Sequence, residues 1–326
     1  MDNTRHMEGF TLIELSIVLV IVGLIVGGIL VGQDLIRAAA VRSQISQIEK
    51  YQQAVNTFRG KYGYLPGDIP DPDASRFGFQ QRGTVAGQGD GNGVIEDSAN
   101  GAAGDNWGLN VFQGEQAMFW VDLSQQKLID GSFNTATPST IPSTQITSTA
   151  IDNYLPQTKI SGGHVYVWSG GWQGLAAFGS GNGASGDGNN YFAISNVTGG
   201  NPGQIDSEVT FLTVAQAYAI DKKMDDGLPQ SGSVMAIAAF VSNTSPNNIN
   251  SGWASHRQQG VSPPIEVWSG DLDPNTGGPV VAGDGEATPG DTTTCYDNNG
   301  VAGATETYSL KSASNYANCW LSFKFQ

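Results

Sequence analysis

Basic residues are scarce in this sequence: 15 Lys and Arg stand against 30 Asp and Glu in 326 residues, a formal net charge of −15. A surface of that sign repels phosphate backbones and anionic lipid headgroups, and no cluster of Lys or Arg offsets it, so no nucleic-acid partner is expected. Histidine is scarcer still, with His6, His164 and His256 alone. None of the three stands in a catalytic motif, and the sequence holds no HExxH, no nucleophile elbow and no phosphate-binding loop, which argues against an enzyme. Paired acids such as Asp225 and Asp226 precede a turn, where solvated charge is the expectation. Cysteine is limited to Cys295 and Cys319, and nothing near them completes a metal site. A disulfide is therefore expected, closing a 25-residue segment and stabilising it by about 2 to 4 kcal/mol. What fills the space left by charged residues is 44 Gly with abundant Ser, Thr and Asn, the composition of a loop-rich exported surface.

One stretch lacks charge almost entirely. Residues 9–32, GFTLIELSIVLVIVGLIVGGILVG, carry Glu14 and no other ionisable side chain. At ~1.5 Å per residue the run is long enough to cross a hydrocarbon core as a helix. A carboxylate inside such a segment costs a few kcal/mol or more to insert, so Glu14 needs a cationic partner or a purpose. In a conventional secretory signal a small residue follows the apolar region. Here Gly9 precedes it.

The sequence Gly9-Phe10-Thr11-Leu12-Ile13-Glu14 resembles the cleavage and methylation motif of type IV pilins and type II secretion pseudopilins. The resemblance implies that a prepilin peptidase cuts after Gly9, that Phe10 becomes the N-methylated first residue, and that Glu14 becomes the fifth residue of the mature chain. Residues 1–9 would then be a leader, 10–32 the membrane and polymerisation half of a helix, 33–62 its amphipathic half and 63–326 a head. It also implies the partners: further copies in a helical filament, the peptidase and methylase, an assembly platform with its ATPase, and the inner membrane before assembly. The location implied is the bacterial inner membrane, then a surface pilus or a periplasmic pseudopilus. The physical logic stands beside the resemblance. Cleavage creates an ammonium at Phe10, and a carboxylate from another subunit can neutralise it inside an apolar filament core.

Two features depart from the family pattern. The leader has a single Arg5 between Asp2 and Glu8, while Arg37 and Arg42 on the far flank give a charge bias that weakly favours the opposite orientation. Gly23, Gly27, Gly28 and Gly32 admit two readings, close packing between subunit helices or a weak stretch that unwinds in the filament.

Beyond the membrane run, Val41, Ile45, Ile48, Tyr51, Val55, Phe58 and Tyr62 recur at steps of three and four, one apolar stripe on an amphipathic helix. Arg42, Gln44, Glu49, Lys50 and Gln53 fall on the other side. Gly63 and Pro66 in KYGYLPGD end a helix of about 50 residues, roughly 75 Å long. Residues 67–113 read as a long Gly- and Asp-rich loop. Within it, Asp90, Asn92, Glu96 and Asp97 resemble the middle of an EF-hand loop, with Gln88 and Ala99 where its first Asp and bidentate Glu belong. A structural calcium ion and a plainly solvated loop both fit; no other cofactor is indicated.

A second helix is expected over 114–129, and an exposed Ser, Thr and Pro loop over 135–149. Strands are expected from His164, Gly174, Asn190, Ser233, Ile265 and Cys319. Thr213 and Gln216 form a capping box for a short helix with Ala217, Ile220 and Met224 on one face. The fold class is α+β, a long N-terminal helix laid on an antiparallel sheet with large Gly-rich loops. The function expected is that of a structural filament subunit. Its rivals are a secretion pseudopilin working as a periplasmic piston and a tip adhesin whose tryptophans, Trp168, Trp172, Trp253 and Trp268 among them, stack on a sugar.

Overall fold

The computed structural model of the chain describes residues 12–84, 87–95, 112–138, 146–147, 150–160, 162–169, 189–201, 204–208, 212–241, 249–253, 256–257, 266–267, 295–297, 305–313 and 317–326. The long helix is α1 (Leu12–Tyr62), 51 residues without a break. Its glycines lower helix propensity, but no proline removes a backbone donor. The helix stops where Gly63 adopts φ +81° and its N–H reaches back to the Arg59 carbonyl at 2.8 Å, a left-handed cap that a Cβ disfavours.

From Val41 onward the apolar stripe is buried through Val41, Ile45, Ile48, Tyr51, Val55 and Phe58, with Tyr62 half-buried at its end. Gln44, which periodicity puts toward solvent, is buried instead. Its Oε1 accepts from the Lys159 N–H at 2.7 Å, and Gln47 donates to the Gln157 carbonyl at 2.8 Å. Two polar side chains thus widen the buried face by pairing with the backbone of a neighbouring loop, a match that hydrophobic periodicity does not register.

Four further helices are α2 (Asp73–Arg76), α3 (Gly114–Gln125), α4 (Val214–Met224) and α5 (Leu310–Ala313). The strands are β1 (Ile146–Thr147), β2 (His164–Ser169), β3 (Asn190–Asn201), β4 (Gln204–Glu208), β5 (Leu212–Thr213), β6 (Val234–Met235) and β7 (Ile237–Val241). They continue with β8 (Ile249–Trp253), β9 (His256–Arg257), β10 (Glu266–Val267), β11 (Tyr296–Asp297), β12 (Thr307–Tyr308), β13 (Ala317–Cys319) and β14 (Leu321–Lys324). The principal sheet has six strands centred on β3. The first half of β3 pairs antiparallel with β2 on one edge and β14 on the other, while its second half pairs with β4 and β1. β6 adds outside β14. Among the described residues one pairing is parallel, Tyr296 of β11 with His256 of β9.

The core forms where α1 and α3 meet over β3. The Tyr51 ring lies edge-on to Trp120 of α3 at 5.2 Å and 6.0 Å from Phe192 of β3, and Phe192 sits 4.4 Å from Phe325. Such aromatic pairs add about 0.5 to 1.5 kcal/mol each beyond the area they bury. α3 is buried from Gly114 to Leu123, around most of its circumference. It ends at Gln125, short of the expected 129, with Lys127 in the left-handed region at φ 55°. The capping box at α4 is present: Thr213 Oγ1 accepts from the Gln216 N–H at 3.2 Å, and Gln216 Oε1 accepts in return from the Thr213 N–H at 3.0 Å.

Two expected loops are corrected. The start of the 67–113 stretch contains α2 and buries Ile69, Ala74 and Phe79, because Asp122 of α3 gathers it inward. Asp122 Oδ2 accepts from the Gly67 N–H at 2.7 Å and from Arg82 Nη2 at 2.5 Å, and both charged side chains are fully buried. Gly67 takes φ +86°, and a Cβ there would collide with the Glu115 carbonyl oxygen. The Ser, Thr and Pro stretch is likewise not plainly exposed, since Ala136 and Ile146 are buried and β1 pairs with Gly199 and Gly200. The strand expected from Gly174 lies outside the described residues. The expected disulfide is formed: Cys295 and Cys319 are bonded with Cα atoms 5.2 Å apart, tying the start of β11 to the end of β13.

Arg82→Met would leave the Asp122 carboxylate buried without its cation. We expect a loss of about 3 to 5 kcal/mol in denaturant unfolding of the full chain, and a loss under about 1 kcal/mol, the surface-pair range, would contradict the buried-pair assignment.

Candidate functional site

The most exposed apolar surface among the described residues is the first half of α1. All of their exposed large hydrophobic side chains except Phe77 lie between Leu12 and Ile36. This is also the one described helix long and apolar enough to cross a membrane. At about 1.5 to 3 kcal/mol per buried Leu, Ile or Val, covering this face is worth tens of kcal/mol gross. Gly23, Gly27, Gly28 and Gly32 have no heavy atom within 4 Å of where a Cβ would stand. Their lack of a side chain therefore relieves no contact among the described residues, and any packing reason for them lies with something that covers the helix. Glu14 is exposed in the first turn of α1, where the helix dipole favours a carboxylate. Gly9 and Phe10, the expected cleavage and methylation positions, lie outside the described residues.

A second cluster gathers beside the N-terminus of α3. Carboxylate oxygens of Asp68, Asp90 and Glu115 lie within 4.8 Å of one another. Of the expected metal set, Asp90 is here, and Glu96 and Asp97 lie outside the described residues. Asn92 turns its amide oxygen to the Val94 N–H at 2.6 Å. The sequence pattern does not single out Asp68 and Glu115, which come from the LPGD turn and the first turn of α3. The signal available was a carboxylate at a helix N-terminus beside a Gly-rich loop.

Carboxylate oxygens of all three residues accept amide N–H groups. Asp68 takes Gly91 at 2.7 Å and Gly93 at 2.9 Å, Glu115 Oε1 takes Gly89 at 2.9 Å and Asp90 at 3.3 Å, and both Asp90 oxygens take Asn92. Asn190 of β3 holds the far end of the loop, accepting from the Ile95 N–H at 2.8 Å and donating to the Gly93 carbonyl at 2.9 Å. Calcium asks for six to eight oxygens turned toward one point. Asp68, Asp90 and Glu115 bring carboxylate oxygens from three residues together, and their bonds to loop amides make the cluster a clamp that fixes the loop.

The exit from α4 uses the same chemistry. Asp221 Oδ1 accepts from the Gly227 N–H at 3.0 Å and Oδ2 from the Tyr308 hydroxyl at 2.8 Å, joining α4 to the disulfide-bounded region. Asp225 accepts from the Ser233 and Val234 N–H groups, and Asp226 from the Leu228 N–H and the Ser231 hydroxyl. Asp225 and Asp226, expected as solvated charge before a turn, also close that turn, and Asp226 stays exposed. Burial pushes Asp68 up to about 6, with neighbouring Asp90 adding to the rise and amide donors opposing it. Burial pushes Asp221 up to about 7 and Glu306 up to about 7, the latter helped by Asp297.

The side chains expected for sugar stacking are not assembled among the described residues. Trp168 is fully buried in β2, stacked on Tyr191 at 4.8 Å and donating to the Ser322 hydroxyl at 3.0 Å. Trp172 and Trp268 lie outside the described residues, and Trp253 is described only as part of β8. His164 Nε2 lies 2.9 Å from Asp152 Oδ1 at the start of β2.

A carboxyl whose folded-state pKa is raised binds its proton in the folded chain at pH values where the unfolded chain has lost it. From about pH 4 up to about 7 the folded state therefore holds more protons, and stability falls as pH rises. We expect the thermal midpoint of the full chain in detergent to drop by several degrees between about pH 5 and about pH 8. Asp221→Asn should flatten the upper part of that slope. A midpoint that rises over the window contradicts the assignment.

Residues 4–30 match the family described as the prokaryotic N-terminal methylation motif. No curated protein and no solved structure matches the chain. The match covers Glu14 and the apolar run as far as Leu30, and it identifies the chain as carrying, on residues 4–30, the N-terminal methylation signature of type IV pilins and pseudopilins.

Proposed function

We propose that this chain is a structural subunit of a type IV pilus-like filament. A prepilin peptidase cuts after Gly9, Phe10 is N-methylated, and the subunit leaves the membrane to polymerise through residues 10–32. The observation that carries this reading is the division of α1: its apolar stripe from Val41 to Phe58 is buried under the head, while the large side chains from Leu12 to Ile36 are bare. In the precursor, lipid covers the bare half. In the filament, other copies of the same helix would cover it, and the four glycines of that half would sit at those helix contacts. Glu14 then pairs with the new ammonium of a neighbouring Phe10, and each charge offsets the burial cost of the other. The disulfide and the size of the head favour a surface pilus over a periplasmic piston, and the burial of Trp168 weakens the adhesin reading.

Mass spectrometry of sheared surface filaments should find an abundant peptide beginning at methylated Phe10. If such filaments lack it, or if the peptide is confined to the periplasm, the pilus reading fails. Glu14→Ala should insert and be cleaved normally yet reduce filament yield at least about tenfold, the consequence of losing more than ~1.4 kcal/mol per contact. Normal yield would overturn the role given to Glu14.

A further inference from the structure

Arg37 and Arg42 run against the expected charge bias, and the filament reading gives them no task. In the structure they border a groove with α4. It has a volume of about 430 Å³ and is lined by Arg37, Ala38, Val41 and Arg42 of α1 and by Thr213, Ala215, Gln216, Ala219 and Lys223 of α4 and its cap. Arg37, Arg42, Ala215, Ala219 and Lys223 are exposed. The floor is thus small and apolar and the rim cationic, in a chain whose net charge is −15. Its position is as telling as its chemistry. The bare apolar face ends at Ile36, one residue before Arg37, so the groove opens at the level where hydrocarbon gives way to headgroups. Asp34 is the acid nearest along α1. Its contact with Arg37 is 4.0 Å between two exposed side chains, too loose to hold that guanidinium from another anion. Beyond Lys223, Asp225 and Asp226 are engaged by the N–H and hydroxyl groups of the following turn.

We propose that this groove holds the headgroup of an anionic phospholipid while the subunit waits in the membrane. The phosphate lies among Arg37, Arg42 and Lys223, and the glycerol and first methylenes lie over Ala38, Val41, Ala215 and Ala219. The acidic head is thereby docked against a surface it would otherwise be repelled by, with α1 held at a fixed depth. The inference rests on the reading of α1 as a membrane span.

Because Cys295 and Cys319 are bonded to each other, an Ala39→Cys substitution, at an exposed position beside the groove that does not line it, offers a single thiol for a fluorophore. The full chain carrying it would be placed in phosphatidylcholine nanodiscs with and without phosphatidylglycerol, and quenching by spin-labelled headgroups of each lipid compared. Quenching by labelled phosphatidylglycerol should exceed that by labelled phosphatidylcholine several-fold. It should fall about fivefold for each cation removed in Arg42→Gln and Lys223→Gln, with the circular dichroism spectrum unchanged. The double Arg42→Glu/Lys223→Glu variant should lose the preference completely. Equal quenching by both lipids in a chain that enters the discs overturns the headgroup site and leaves the span intact. Failure to enter the discs overturns both. Shielding of the fluorophore that grows with copies per disc, whatever the lipid, would assign the groove to a second copy and overturn the proposal.

Discussion

The burial of Ile45, Ile48, Tyr51, Val55 and Phe58 under the head is the contact on which the rest of the molecule depends. It commits the second half of α1 to the globular core, and because the helix is continuous, its first half must project away from that core. Among the described residues, no side chain of the head returns to cover the face from Leu12 to Ile36. A helix of that length exposed to water would be insoluble, so the chain is stable only where something else supplies an apolar environment. Membrane residence and polymerisation are two ways of satisfying one constraint.

The head is unusually dependent on carboxylates that accept backbone donors. Asp122 gathers the Gly67 turn and Arg82, Asp68 and Glu115 hold the Gly-rich loop, and Asp221 with Asp225 and Asp226 shapes the exit of α4. A chain with so much glycine has many loop N–H groups and few regular ladders to satisfy them, and an unpaired buried N–H is costly. The acidic composition thus has a structural use inside the molecule as well as an electrostatic effect outside it. The same arrangement explains why loops that read as solvated are packed: their donors are met from beneath by acids on α3, on α4 and in the LPGD turn.

The long apolar run, the helix end at Gly63, the capping box of Thr213 and Gln216, and the Cys295–Cys319 bond are all legible in the sequence. Each rests on local chemistry or on elimination: apolar length, a residue without a Cβ, a hydroxyl three residues from an amide, two thiols with no other partner. Gln44, Asp68, Glu115 and Trp168 escape such a reading. Their partners, Lys159, Gly91, Gly89 and Ser322, lie across a loop or on a distant part of the chain, and no local pattern points to them.

By itself the sequence determined that this chain has a hydrophobic helix with one placed carboxylate, joined to an amphipathic continuation and a strand-bearing acidic head. Periodicity and side-chain chemistry along one continuous segment are enough for that. Only the tertiary structure decided that the helix is bare to Ile36 and buried from Val41, which acids meet which loop amides, and that basic side chains of α1 and α4 share a groove at the boundary. Those facts depend on pairs of residues brought together across long separations. A linear pattern carries no record of such pairs, because the free energy that selects them comes from closing the whole fold at once.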